Sequence, residues 1–214
     1  MDALLAFVDE RGEYHRVNTG FTAVAPSKLE KDQSLPVRIP IELPPGEYDY
    51  TLLIKDAFGP AGGTPSGNYR KDVLTVRELG GSLPVLSDVA VASDSGGSWS
   101  PLAPAGPDLG LVPSPAHLTG PESLAWIYFE AYNLTPGGRY ETRIRFEPDG
   151  NDGEAFDLSF PGDVPVEGAP RTRRVLRLEL EDAEPGTYSV SVVVADAESG
   201  SETLPHATAI TVTK

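Results

Sequence analysis

The fold is decided by a stretch near the carboxyl end of the chain, residues 185–197, which reads PGTYSVSVVVADA. Pro fixes its backbone φ and Gly accepts a positive φ, so Pro185 and Gly186 predict a tight turn. The β-branched and aromatic residues that follow are typical of a buried strand. Tyr188 lies just inside this strand, as in a tyrosine corner, where the hydroxyl bonds back to nearby backbone at the edge of a β-sandwich.

The same pattern occurs earlier in the chain. Residues 45–57 read PGEYDYTLLIKDA and align without a gap with residues 185–197. Each copy follows an alternating segment and precedes a Gly-rich loop and a last strand, residues 73–76 or 209–212. A repeated pattern predicts repeated structural units, with chance resemblance of two ordinary hairpins as the alternative. We therefore predict an all-β chain of two tandem antiparallel β-sandwiches of immunoglobulin or fibronectin III type.

A short Gly-containing linker is predicted between the two sandwiches. Residues 78–82 read ELGGS and lie between the first terminal strand and a new alternating segment. The sequence therefore predicts a β-sandwich domain over residues 1–80 and a larger one over residues 81–214. The larger domain contains a loop rich in Pro, Gly and Ser, residues 93–122, whose interspersed Trp and Leu residues predict an ordered loop with one short strand.

Two further strands are predicted over residues 124–134 and 139–147, joined by the turn sequence TPGG. The second strand alternates between apolar and charged side chains, which is typical of a sheet with one face in water. The residues predicted to face inward are Tyr140, Thr142, Ile144 and Phe146.

The composition predicts a folded, acidic protein. Hydrophobic residues make up 39% of the chain and charged residues 23%, which is too apolar for a disordered chain. The formal net charge of −15 argues against nucleic acid and anionic membranes, because both require a basic surface. The chain has no cysteine, which excludes disulfides, thiolate metal sites and thiol nucleophiles.

No arrangement of residues typical of catalysis occurs in the sequence. There is no Gly-x-Ser-x-Gly motif and no phosphate-binding Gly-rich loop. The histidines His15, His117 and His206 are scattered, which predicts surface or structural roles. We therefore predict no enzyme activity, no cofactor and no metal site.

Acidic residues near turns are given structural roles. Residues 149–154 read DGNDGE, and their spacing does not fit an EF-hand, so we predict a solvated hairpin loop with calcium binding as the alternative. Asp56 and Asp196 end the two repeated strands and are predicted to cap turns.

The strand over residues 124–134 carries an aromatic stripe on one face. Alternate residues of a strand point to the same side, and Glu130 on this side indicates that the face is not fully buried. The alternative is that the Pro-rich loop covers the stripe. The candidate partner-binding residues, one of them from the loop, are Trp126, Tyr128, Tyr132 and Trp99.

Several segments resemble a known family. Residues 86–92 (LSDVAVA), 113–115 (PSP) and 128–134 (YFEAYNL), with the Pro-Gly-x-Tyr strand, resemble the C-terminal sandwich region of exported bacterial proteins that bear a Gly-Trp-x-Thr-Asp domain. The resemblance covers residues 35–214, and the Gly-Trp-x-Thr-Asp signature itself is absent. It implies an extracytoplasmic, periplasmic accessory or scaffold module without established catalytic residues.

Taken together, these patterns predict a structural or interaction subunit. We expect an extrinsic scaffold that docks onto a larger protein assembly, either soluble or membrane-embedded, through a sheet face or an edge strand. The alternative is a sandwich that binds carbohydrate or another ligand through the aromatic stripe. The apolar run over residues 3–8 is too short for a signal sequence or a membrane span, so a leader or anchor is not visible in this chain.

Overall fold

The computed structural model describes residues 2–20, 39, 41–56, 66–94, 111–113, 118–119, 124–150, 154–162, 171–180 and 183–212. Within these ranges the chain forms fourteen β-strands and no helix, which confirms the predicted all-β class. The strands are β1 Asp2–Asp9, β2 Tyr14–Gly20, β3 Gly46–Asp56, β4 Ser66–Val76, β5 Val85–Leu86, β6 Ala90–Asp94, β7 Leu111–Pro113, β8 Leu118–Thr119, β9 Leu124–Tyr132, β10 Tyr140–Pro148, β11 Phe156–Pro161, β12 Arg171–Glu179, β13 Gly186–Asp196 and β14 His206–Val212.

Contacts within the chain divide it into two compact units, Met1–Glu78 and Leu79–Lys214. This division falls two residues before the boundary that the Gly-rich segment predicts. Asn133, at the end of β9, donates hydrogen bonds from Nδ2 to the carbonyl oxygens of Leu79 and Leu83, at 3.2 and 3.0 Å. The segment after the division is therefore tied to the second unit.

The described residues of the first unit form an antiparallel four-stranded sheet in the order β2-β1-β3-β4. Its small core lies on one face of the sheet, where Leu5, Phe7 and Tyr48 are buried. Phe7 packs edge-on against Tyr48, with ring centroids 6.3 Å apart. Ile41 and Leu43, half-buried residues of the segment before β3, pack against this cluster.

The two repeated strands occupy equivalent positions in their units. β3 pairs with β1 and β4, and β13 pairs with β10 and β14, so each lies inside its sheet and each pairs with the strand that follows it. The hydroxyl of Tyr48 donates to the carbonyl oxygen of Pro44 at 2.8 Å, and the hydroxyl of Tyr188 donates to that of Glu184 at 2.8 Å. These bonds confirm the predicted tyrosine corner in both copies.

The second unit contains two sheets that share one core. Their orders are β11-β10-β13-β14-β8 and β12-β9-β6-β7, and β5 also pairs with β9. Among the strands that the structure describes here, β14 and β8 pair in parallel and the others pair antiparallel. Ile127 and Phe129 from one sheet and Ile144 and Val192 from the other belong to the same buried cluster.

The predicted alternation of β10 is confirmed. Tyr140, Thr142, Ile144 and Phe146 are buried, and the charged residues between them are half-buried or exposed. β9 and β10 lie in different sheets, so the segment that joins them crosses from one layer to the other. Asn133 at the start of this crossing has a φ of 60°, and Gly137 has a φ of 78°.

Other strands differ in detail from the predictions. The segment over residues 85–92 forms two short strands, β5 and β6, because residues 87–89 leave the ladder. Two short strands, β7 and β8, lie in the loop over residues 93–122, where one was predicted. Much of that loop, including Trp99 and His117, lies outside the described residues.

Candidate binding surfaces

The predicted aromatic stripe lies on the outer face of the sheet that contains β9. Ile127 and Phe129 point into the core, so Trp126, Tyr128, Glu130 and Tyr132 point to the opposite side. Trp126 and Tyr132 are half-buried. Tyr128 is only 9% exposed and Glu130 only 8%. The stripe is therefore not an open row of rings.

Glu130 is the centre of a polar network on this face. Its Oε1 accepts a hydrogen bond from the hydroxyl of Tyr128 at 2.7 Å, and its Oε2 accepts one from Tyr132 at 2.5 Å. The Nε atoms of Arg171 and Arg173 lie 2.9 and 3.4 Å from Oε1. Two hydroxyls and two guanidinium groups thus surround one carboxylate, which explains how a charged side chain is buried here.

The register between β12 and β9 places these arginines. Arg171 pairs with Tyr132, Arg173 with Glu130, and Arg177 with Trp126. Directly paired residues of an antiparallel ladder point to the same side, so alternate positions of β12 bring arginines onto the aromatic face. We call this surface the arginine face. It consists of Trp126, Tyr128, Glu130, Tyr132, Arg171, Arg173 and Arg177.

Both tyrosines of the arginine face have raised pKa values. Burial raises the pKa of Tyr128 to about 12, and its hydrogen bond to Glu130 adds to the shift. The pKa of Tyr132 is raised by burial and then by its own hydrogen bond to Glu130. Both hydroxyls therefore remain protonated donors at neutral pH, and their geometry serves hydrogen bonding.

A second candidate surface lies on the first unit. Of the eight large apolar side chains that are exposed among the described residues, five point away from the core on one face of the first sheet. Their exposed fractions range from 36% for Val8 to 67% for Tyr69. We call this surface the apolar outer face. Its members are Val8, Tyr14, Leu53, Tyr69 and Val73.

The ladder registers arrange the apolar outer face in rows across the four strands. One row contains Tyr14, Val8, the exposed Asp49 and Val73, and another joins Leu53 to Tyr69. A row between them has the cationic residues Arg16 and Lys71 at its two ends. The surface thus has two rows rich in apolar side chains, one of them interrupted by Asp49, and positive charge at both edges of the sheet.

The first hairpin gathers the group that most resembles a metal site among the described residues. Asp9, Glu13 and His15 offer ligand atoms that all lie within 4.8 Å of one another. Asp9 Oδ1 also accepts hydrogen bonds from the backbone N–H groups of Arg11 and Glu13, which fixes the turn. Exposed acidic groups are often close together without an ion, so this group receives no metal assignment. The sequence spacing Asp-x₃-Glu-x-His is the signal that could have identified it.

A groove of about 500 Å³ opens beside the core of the first unit. It is lined by apolar side chains and one carboxylate, that of Glu42. A single ionisable group in the lining provides no acid–base pair. The lining residues are Ile41, Glu42, Leu43, Pro44 and Val76.

The remaining predicted residues have structural partners or lie outside the described part of the chain. Asp196 Oδ1 accepts hydrogen bonds from the N–H groups of Glu198 and Ser199, so its predicted role as a turn cap is confirmed. These bonds, first that from Ser199, lower the pKa of the Asp196 carboxyl. Nε2 of His206 lies 3.6 Å from Oδ1 of Asp88. The middle of the acidic loop, residues 151–153, is not described.

No protein-family model matches the chain, and no curated protein matches its sequence. The described residues contain no apolar helix of the length needed to cross a bilayer. The two surfaces are therefore interpreted from their own geometry and charge, and the resemblance to exported bacterial sandwich proteins stays a prediction.

Proposed function

We propose that this protein is a non-catalytic interaction module that docks onto a partner protein through the apolar outer face of its first sheet. The observation that carries the proposal is the concentration of exposed apolar side chains on that face. Single exposed apolar residues are common on soluble proteins, whereas a contiguous apolar patch marks an interaction surface. Leu83 and Leu204, which are exposed elsewhere, do not belong to it.

The size of the face fits the centre of an interface. Strands about 4.8 Å apart and same-face residues about 6.8 Å apart along each strand give each residue about 33 Å², so the five members of the apolar outer face cover roughly 160 Å². A stable interface buries about 800 Å² on each partner, with an apolar centre and a polar rim. Arg16 and Lys71, at the edges of the same face, supply part of such a rim.

The architecture supports a docking role. The shared core of the two sheets in the second unit supports a β-sandwich there, and the matching tyrosine corners support our proposal that both units are of immunoglobulin or fibronectin III type. The resemblance to exported bacterial proteins supports a periplasmic location and an extrinsic position on a larger assembly.

The chemistry of the described residues favours binding over catalysis. In the polar cluster of the arginine face, the carboxylate accepts two tyrosine hydrogen bonds and lies in ion-pair contact with two arginines, and the tyrosines stay protonated at neutral pH. A carbohydrate site on the aromatic stripe is less well supported, because sugar stacking requires an exposed ring and the side chain of Tyr128 is buried. Protein docking is therefore the better interpretation of the two.

Recovery of the tagged protein from its native source tests the proposal. A partner should co-purify in constant stoichiometry with the wild type and be lost from the double variant Leu53→Ser, Val73→Ser. Both side chains are partly exposed, so the variant should keep the circular dichroism spectrum of the wild type. Leu204→Ser is the matched control, because Leu204 is 85% exposed and lies outside the apolar outer face.

Two outcomes would contradict the proposal. The wild type could be recovered as a free, monodisperse protein, or the double variant could retain the partner as fully as the Leu204→Ser control.

A further inference from the structure

The arginines on the two sheets of the second unit differ in the number of carboxylates that they contact. On the outer face of β10, Arg143 contacts both Glu141 and Glu202, at 3.0 and 2.8 Å. Arg145 on the same strand also contacts two carboxylates, at 2.8 and 3.2 Å. Each of these arginines therefore meets an excess of negative charge.

The arginine face has the opposite balance. Arg171 and Arg173 share the single carboxylate of Glu130, and both approach it through Nε. Arg177, further along β12, contacts Glu179 at 3.4 Å. Three arginines thus meet two carboxylates, Glu130 and Glu179, and the described residues of this face carry an excess of one positive charge, although the whole chain carries a net charge of −15.

The arginines are held in place and remain accessible. The side chains of Arg171 and Arg173 are 34% and 31% exposed. Contact with Glu130 restricts their rotamers, so less entropy is lost when a ligand binds. Guanidinium groups present several N–H donors in a planar arrangement that matches a carboxylate. The hydroxyls of Tyr128 and Tyr132 donate to Glu130, so the groups left to bind a ligand are the guanidinium groups of Arg171 and Arg173.

We propose that the arginine face binds a short carboxylate-rich segment of a partner protein, with Arg171 and Arg173 as the contacting residues. The site is separate from the apolar outer face, and the proposal does not depend on the docking role of that face. A long polyanion is disfavoured, because beyond the few residues of β12 it would meet a strongly acidic protein. A short acidic segment would contact only the arginine face, where positive charge is in excess.

Fluorescence polarisation with labelled hexaglutamate tests this inference at low ionic strength. The wild type should bind the peptide, and binding should weaken as salt is added, because exposed charges are screened. The double variant Arg171→Gln, Arg173→Gln should weaken binding at least tenfold, whereas Arg171→Lys, Arg173→Lys, which keeps the charges, should lose less. The matched control, Arg143→Gln with Arg145→Gln, should bind as the wild type does.

The outcomes separate this inference from the docking proposal. Loss of hexaglutamate binding in the Leu53→Ser, Val73→Ser variant would overturn the inference, because it would move the site to the first unit. Absence of binding by the wild type, or equal losses in the two pairs of arginine variants, would also overturn it. If an oligouronate with the same number of charges binds more tightly than hexaglutamate does, the preferred ligand is an acidic glycan, and the proposed protein segment is refuted.

Discussion

The substitution Glu130→Gln should destabilise the second unit, because the Glu130 carboxylate accepts from two tyrosine hydroxyls and lies against two guanidinium groups. A glutamine keeps one acceptor oxygen and turns an amide N–H₂ group towards the remaining donors. Hydrogen bonds to charged groups contribute about 1.5–3 kcal/mol each when buried, and ion pairs in contact with solvent contribute about 0–1 kcal/mol. Since Arg171 and Arg173 are about one-third exposed, we expect a loss of about 2 kcal/mol in the free energy of unfolding.

Urea unfolding followed by circular dichroism measures this loss. With a slope of about 1.5 kcal/mol per M urea, the midpoint should fall by roughly 1.3 M without a change of slope. Glu147→Gln is the matched control, because its carboxylate is 59% exposed and contacts Arg145 alone among the described residues. A Glu130→Gln midpoint no lower than that of Glu147→Gln would refute the stabilising role of the network.

Three further predictions concern single side chains. Tyr48→Phe and Tyr188→Phe should each lower the free energy of unfolding by about 1 kcal/mol, because each variant loses the hydrogen bond of its tyrosine corner. Tyr69→Phe is the control and should not lower it, because Tyr69 is 67% exposed. Equal effects of the three variants in a thermal melt would argue against the tyrosine corners. Thr142→Val should raise the urea midpoint, because the buried Oγ1 has no hydrogen-bond partner among the described residues. Its removal relieves a desolvation cost of about 1 kcal/mol. A lower midpoint would contradict this prediction. The pKa of Tyr128 is about 12 in the folded protein against about 10 in the unfolded chain. The stabilisation that this difference gives is complete below pH 10 and should be lost as the pH rises towards 12. If the free energy of unfolding of Tyr128→Phe falls with pH above 10 as steeply as that of the wild type, Tyr128 is not the cause.

The parts of the fold that were predictable depend on local pattern. The turn before Tyr188 and the alternation from Tyr140 to Phe146 are written in a few consecutive residues, so both were identified from the sequence. The assignment of β9 and β10 to different sheets was not, because it depends on pairing with strands far along the chain. β11 was also missed, although its six residues alternate between half-buried and exposed side chains.

The candidate surfaces were predictable only in part. The stripe of Trp126, Tyr128 and Tyr132 follows from alternation within one strand, whereas the arginines opposite it require the register between β9 and β12. The apolar outer face was missed because the run that contains Leu53 is apolar on both sides of the strand. Periodicity therefore does not show which side a core covers. The exposure of Val73 and Tyr69 becomes visible only when the four strands are placed side by side.

Site-specific photo-crosslinking in the native source tests the central claim most directly. A benzophenone amino acid replaces Tyr69, which is 67% exposed on the apolar outer face, or Leu204, which is 85% exposed outside it. We expect irradiation to join the protein to one discrete partner from position 69 and to give no discrete adduct from position 204. The absence of an adduct at position 69, or the same adducts from both positions, would contradict docking through this face.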